Sequence, residues 1–304
     1  MRILSVALAT FLALPVPAAE HREEVLRDSP AAYWRFDDAL DCCAQEATDK
    51  RALKADRGEN VSLIAPGPRA PKFPNFDAHN VAADFTEVKS GAFLRVADPG
   101  ARSEFDFQKD TTITIEAWVQ CRALGEGRLV YIISKGRTGN PGTKAGNQSW
   151  ALCLRGARSA KGAVACPSFL FRDAKNDGDR SWHRWTTTRG FPPGEEWHHL
   201  VVSYTFGKPG SAKAWVNGVA LDGAWDLGGA TTLEPVLDDD EVWIGGSMGG
   251  AAENQFPGAI DEVAVYRAAL PQERIARHAQ REGPLPELAA VTSADPVPPA
   301  PPKP

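Results

Sequence analysis

After its first twenty residues this chain of 304 has no long apolar run, and nothing there approaches the roughly 18 consecutive apolar residues of a membrane-spanning helix. A span in the mature chain is thereby excluded. Basic excess is also missing: 34 Lys and Arg face 39 Asp and Glu, a formal charge of −5. A phosphate-binding surface shows a basic stripe, so nucleic acid is not an expected partner, and the short basic cluster at 155–161 reads as a solvated loop. Catalytic signatures are absent too, with no Gly-x-Ser-x-Gly elbow and no His-Glu-x-x-His helix. Cysteine is scarce. There is no Cys-x-x-Cys-His haem motif and no paired Cys-x-x-Cys zinc spacing.

What is present begins with a leader. Arg2 precedes an apolar run over residues 3–14, then Pro15, Pro17, Ala18 and Ala19, the layout of a secretory signal peptide over 1–19. The mature chain is therefore expected to be secreted, periplasmic or at the cell surface. In such a compartment the five cysteines, Cys42, Cys43, Cys121, Cys153 and Cys166, permit at most two intramolecular disulfides. The last three lie in or beside expected strands, where they can bridge or serve as small buried apolar residues.

Residues 112–119, TITIEAWV, alternate Ile113, Ile115, Ala117 and Val119 with Thr112, Thr114, Glu116 and Trp118, the period of a half-buried strand. Shorter runs at 93–96, 130–134, 150–154, 168–171, 199–204, 213–216 and 242–245 read the same way. Gly, Pro, Asn and Asp separate them, and Asn217-Gly218 is a strong hairpin signal. Many short strands imply an all-β protein, a two-sheet antiparallel sandwich or jelly roll. One short C-terminal helix is expected after Leu270, opened by Pro271. Residues 44–77 carry little periodicity and read as an irregular wrapping loop with a strand near 61–64. From Gly283 the composition shifts: eight of 24 prolines fall in the last 22 residues, a linker-like tail over 283–304. One folded domain over 22–282 is expected.

The segments SPAAYWRFDD at 29–38, TITIEAWV, EEWHHLVVSYTFGKPGSAKAWVNGV at 195–219, DDDEVWIGGS at 238–247 and FPGAIDEVAVY at 256–266 occur in the order found in LamG-like jelly-roll domains, which the chain resembles over most of 28–278. The resemblance implies a concanavalin A-like jelly roll, laminin G or pentraxin-like, and a binding module. Glycanases of the wider group resemble one another through a Glu-x-Asp-x-x-Glu strand, which is missing here. Asp261 and Glu262 are adjacent, so on a regular strand they face opposite ways and cannot form the carboxylate pair that glycoside hydrolysis needs. The resemblance also implies a structural Ca²⁺ held by Asp38 and Asp261, with Asp49 in the following loop. The chain departs from the usual Asp-x-Ser-Gly-Asn-Gly there, reading Asp49-Lys-Arg-Ala.

His198 and His199 are strand neighbours that point to opposite faces and cannot chelate one ion, and His183 shows no partner in sequence. Of nine tryptophans, Trp34, Trp118, Trp197 and Trp243 lie in expected strands, and Trp150 and Trp215 fit either a core or a surface. Trp182, Trp185 and Trp225 fall in Gly- and Asp-rich stretches that read as loops. With Arg184 they form the candidate ligand-binding set, either stacking on sugar rings or plugging the ends of the sandwich. The expected function is a secreted, non-catalytic module that binds extracellular carbohydrate or glycoconjugate. The alternative is a protein-interaction or structural module, the N-terminal part of a larger exported bacterial assembly reached through the tail.

Overall fold

The computed structural model describes residues 20–36, 43–44, 55–57, 60–86, 91–100, 103–144 and 146–292. Two antiparallel sheets face each other. One runs in the order Val219–Leu221, Lys213–Val216, His198–Thr205, Thr112–Cys121, Gly258–Tyr266, Val81–Asp84, Ser62–Pro66, with Ala32–Trp34 also paired to Gly258–Tyr266. The other has nine strands: Gly223–Leu227, Trp182–Thr187, Gly162–Arg172, Gln148–Ser159, Leu129–Gly136, Val242–Ile244, Leu94–Val96, Ala55–Arg57 and Cys43–Ala44. This is the all-β, two-sheet sandwich expected from the periodicity.

The core lies between the sheets. Ile113, Ile115, Ala117 and Val119 of the first sheet meet Trp150, Leu152, Leu154, Phe169 and Phe171 of the second. The Asn217-Gly218 signal holds: the two residues adopt φ of 50° and 78° between Lys213–Val216 and Val219–Leu221, the left-handed pair a two-residue hairpin turn requires.

The half-burial expected at 112–119 does not hold. Thr114, Glu116 and Trp118, on the outer face of their strand, are as buried as the core residues opposite. The reason is a second layer. An unexpected helix, His21–Arg27, and the expected helix Gln272–His278 lie over this sheet, packing Val25 and Ile275 against Tyr33, Val201 and Tyr266. Phe73 and Phe76 cover Trp118 beside them. The 44–77 stretch holds the expected strand, Ser62–Pro66, and is more regular than expected in contributing Ala55–Arg57 as well.

The basic cluster at 155–161 is not a free loop but the end of strand Gln148–Ser159 and its hairpin to Gly162–Arg172. Strict alternation fails at Asp261 and Glu262. A β-bulge with Glu262 at φ 52° turns both side chains away from the core, as such bulges do; Asp261 then meets Asn80 and Glu262 meets Tyr33. Finally, the chain does not leave the domain at Gly283. Ala289–Ala290 pairs with Arg189–Gly190, Leu288 is buried, and Thr292 still bonds Arg158.

Cys121, Cys153 and Cys166 are free thiols, all buried. Cys121 faces the core, whereas Cys153 and Cys166 lie on the outer face of the nine-stranded sheet, on adjacent strands and diagonal to one another. Burial raises the Cys121 pKa to about 12 and that of Cys166 to about 11. Cys42 and the Cys43 side chain lie outside the described residues.

Candidate functional site

Period two decides which of the candidate residues can meet a ligand. The stretch expected as a loop around Trp182 and Trp185 is the strand Trp182–Thr187, and Trp225 sits in the neighbouring strand Gly223–Leu227. Trp185, only 5% exposed, points inward. Trp225 packs against the same core through Phe171 and Tyr204 and donates from its indole nitrogen to the Pro209 carbonyl at 3.2 Å. These two indoles fill the core beneath the edge of the nine-stranded sheet that strand Gly223–Leu227 forms. Trp182 and Arg184 have the opposite parity and emerge on the outer face of the nine-stranded sheet.

That face has an apolar floor and a mixed rim. Tyr131, Ala151, Cys153 and Leu170 form the buried floor, and Leu129, Trp182, Leu227 and Met248 are half-buried around it. Arg184 donates from Nε and Nη2 to the two carboxylate oxygens of Asp226 at 2.9 and 3.1 Å, and Arg155 lies 3.6 Å from the same carboxylate. The guanidiniums of Arg137 and Arg172 lie 4.7 and 5.6 Å from the Trp182 ring centroid, inside the range of cation–π attraction. Arg137 and Arg172 did not stand out in the sequence, and Arg155 stood there only as the start of the basic cluster read as a loop. The available signal was strand parity, since Arg155 and Arg172 sit two residues beyond Cys153 and Leu170 on the same face.

His183, without a visible partner in sequence, has two: its Nε2 is 2.9 Å from Asp173 Oδ2 and its Nδ1 is 2.9 Å from the Gly229 carbonyl. It braces the inner side of the Trp182 strand. His198 and His199 diverge as expected. His198 stacks on Phe191 at 4.0 Å, whereas His199 turns outward to Glu116.

Under the two helices lies a second polar constellation. Glu116 Oε2 is 3.1 Å from His199 Nε2 and 2.9 Å from His278 Nδ1, and Tyr266 donates to the other carboxylate oxygen. His21 lies 3.8 Å from Glu262, which accepts from Tyr33. Burial holds His21 well below and His199 below the usual imidazole pKa. Burial also opposes charge on His278, but Glu116 and Asp28 outweigh it and raise its pKa. Glu116 is itself held well below the carboxylate range, His278 and His199 overcoming its burial. This set is closed to solvent and ties the helices to the sheet.

Of the expected calcium ligands, Asp38 and Asp49 lie outside the described residues. Asp261 is buried and accepts from Asn80 Nδ2 at 2.8 Å and from the Glu262 backbone N–H at 2.9 Å. Among the described residues no group of three or more His, Cys, Asp or Glu is arranged to hold a metal.

With this geometry in view, residues 97–276 match the family model described as the concanavalin A-like lectin/glucanases superfamily, and the chain belongs to that family. Among solved structures it is similar to the binding domain of Paraclostridial Mosquitocidal Protein 1, at 12% identity and TM-score 0.56, covering 84% of this chain and 52% of that one. It is also similar to the receptor binding domain of botulinum neurotoxin D, at 12% identity and TM-score 0.52, covering 84% and 53%. The chain thus spans about half the length of those domains, and at such identity the likeness is one of fold. No curated protein matches. No helix among the described residues is long and apolar enough to cross a membrane.

Proposed function

We propose that this domain is an exported, non-catalytic module that binds carbohydrate or glycoconjugate on the outer face of its nine-stranded sheet, around Trp182. The observation that carries the reading is the half-exposed group Leu129, Trp182, Leu227 and Met248, set on a buried floor and bordered by arginines. A sugar ring offers apolar C–H faces rimmed by hydroxyls, and an apolar surface with a few placed polar groups complements it. Guanidiniums already lie against the indole, so the exposed part of Trp182 acts together with Leu227 and Met248. That two solved domains of this fold are named as binding domains supports the module class.

Asp261 and Glu262, the adjacent acids of the family strand, are both buried with protein donors on them, which supports a binding rather than a hydrolytic role. Calcium near Asp261, with Asp38 and Asp49, is proposed separately as a structural ion. The interaction-module alternative has one observation in its favour. Ser62–Pro66 ends its sheet among the described residues and carries Ile64, 68% exposed, and such an edge can accept a partner strand.

The test is titration of the mature domain with a panel of polysaccharides, followed by tryptophan fluorescence. Saturable binding lost in Met248→Asp, with the melting temperature kept, is the expected result. Saturable binding that Met248→Asp leaves intact moves the site elsewhere.

A further inference from the structure

In an acidic chain, the surroundings of Trp182 are locally basic. Arg184 and Arg155 share the Asp226 carboxylate. Arg137 and Arg172 have no carboxylate within ion-pair distance among the described residues. Arg137 donates to the Tyr131 hydroxyl at 3.5 Å, and Arg172 donates to the carbonyls of Gly146 and Gly178 at 3.0 and 3.2 Å. These acceptors orient the guanidiniums without neutralising them.

Both arginines are held in place by unusual local structure. Gly136 and Arg137 have φ of 86° and 62° in succession, and Arg137 has no glycine's freedom to adopt the left-handed region cheaply. That turn ends strand Leu129–Gly136 and brings the guanidinium over the indole. At Gly146 a Cβ would meet the Arg172 guanidinium, the movable end of a long side chain, so glycine there leaves room for the pose that Arg172 adopts. The Arg172 Nε is buried and has no hydrogen-bond partner. Burial and the neighbouring Arg137 charge lower the Arg172 pKa, outweighing the opposite pull of Asp179 and Asp173, neither of which pairs with it. Two like charges are thus kept against one ring, with donors left over.

We propose that Arg137 and Arg172, propped against Trp182, form a receptor for a single oxyanion carried on a sugar ring, so that the module selects acidic over neutral glycans. The inference rests on the glycan-binding reading of this face. A planar guanidinium matches a carboxylate bidentately and also accepts a sulfate ester, so uronate and sulfated glycans share the chemistry. Leu227 and Met248 meet the ring that carries the anion. Two unpaired arginines suit one anion per site, and the chain's overall charge of −5 opposes a continuous polyanion track.

The experiment compares binding of matched pairs to the mature domain: polygalacturonate against its methyl-esterified form, and dextran sulfate against dextran. Each pair keeps the backbone and changes the charge. The expected result is at least a tenfold preference for a charged member, weakened by raising NaCl. Arg137→Gln and Arg172→Gln should each remove about tenfold of it without moving the melting temperature, and Arg158→Gln, remote and paired to Glu126, should change nothing. A preference for the first pair assigns a carboxylate, and one for the second a sulfate. Charged and neutral members bound alike, with binding still lost in Met248→Asp, would overturn the oxyanion receptor and leave the glycan face standing. Binding of neither pair would overturn both, and a charge preference unmoved by the arginine variants would overturn the assignment to Arg137 and Arg172.

Discussion

Trp182 and Trp185 are three residues apart on one strand and do different work, because an odd spacing on an alternating strand leaves the first outside the sandwich and the second within it. Trp185→Ala removes a buried indole and should destabilise the domain by about 3–5 kcal/mol, as large-to-small core changes do. Trp182→Ala removes a half-exposed ring and should cost much less stability while weakening ligand binding. Chemical denaturation of the two variants checks this, and equal losses of stability would mean that Trp182 is core. From sequence, the Gly- and Asp-rich surroundings placed all three indoles in loops, free either to meet a ligand or to plug the sandwich. What composition could not show was parity: the pairing of 182–187 with 168–172 and 223–227 is a long-range fact, and it alone assigns each side chain a face.

At the scale of elements, the strands were legible because their period is local, and the second layer was not. Nothing in TITIEAWV announces that Glu116 and Trp118 will be covered, since the covering residues come from Val25, Phe73, Phe76, Ile275 and His278, far off in the chain. Helix His21–Arg27 is seven residues long, too short for an amphipathic pattern to stand out. The stability of the domain is expected to depend on pH. Burial, the largest cause in each, lowers the folded pKa values of His21, His198 and His199 below the ordinary 6.5 of an imidazole, that of His198 to about 3. Their contribution to stability is present above pH 6.5 and is lost as pH falls, because only the unfolded chain then takes up those protons. His278 runs the other way: its raised pKa contributes stability below pH 6.5 that is lost as pH rises through the folded value. Glu116, lowered well below 4.5, adds a loss in stronger acid. Three depressed imidazoles against one raised give a net fall in melting temperature from pH 7.5 to pH 5. His199→Gln should flatten that profile. A melting temperature that rises over the interval would contradict the assignment of neutral, buried imidazoles.

At the scale of the whole molecule, the sandwich and its family followed from strand motifs in order, and the domain's end did not. Proline-rich composition began at Gly283, yet Leu288 is buried and Ala289–Ala290 completes a two-stranded ladder with Arg189–Gly190. A chain cut after residue 282 should therefore melt lower than one cut after 292, and indistinguishable melts would show the ladder to be incidental. Calcium is tested on the same footing. Binding to the native state raises its stability by mass action, so the wild-type melting temperature should drop with chelator while Asp261→Asn shows no such response; a wild type indifferent to calcium and chelator alike would remove the ion. The central claim is that the face around Trp182 is the ligand site, and a glycan array run in parallel on the wild type, Trp182→Ala and Trp185→Phe tests it most directly. The account predicts that wild type and Trp185→Phe, an aromatic replacement inside the core, bind the same glycans and that folded Trp182→Ala binds none of them. Retention of the full wild-type pattern by folded Trp182→Ala would contradict it.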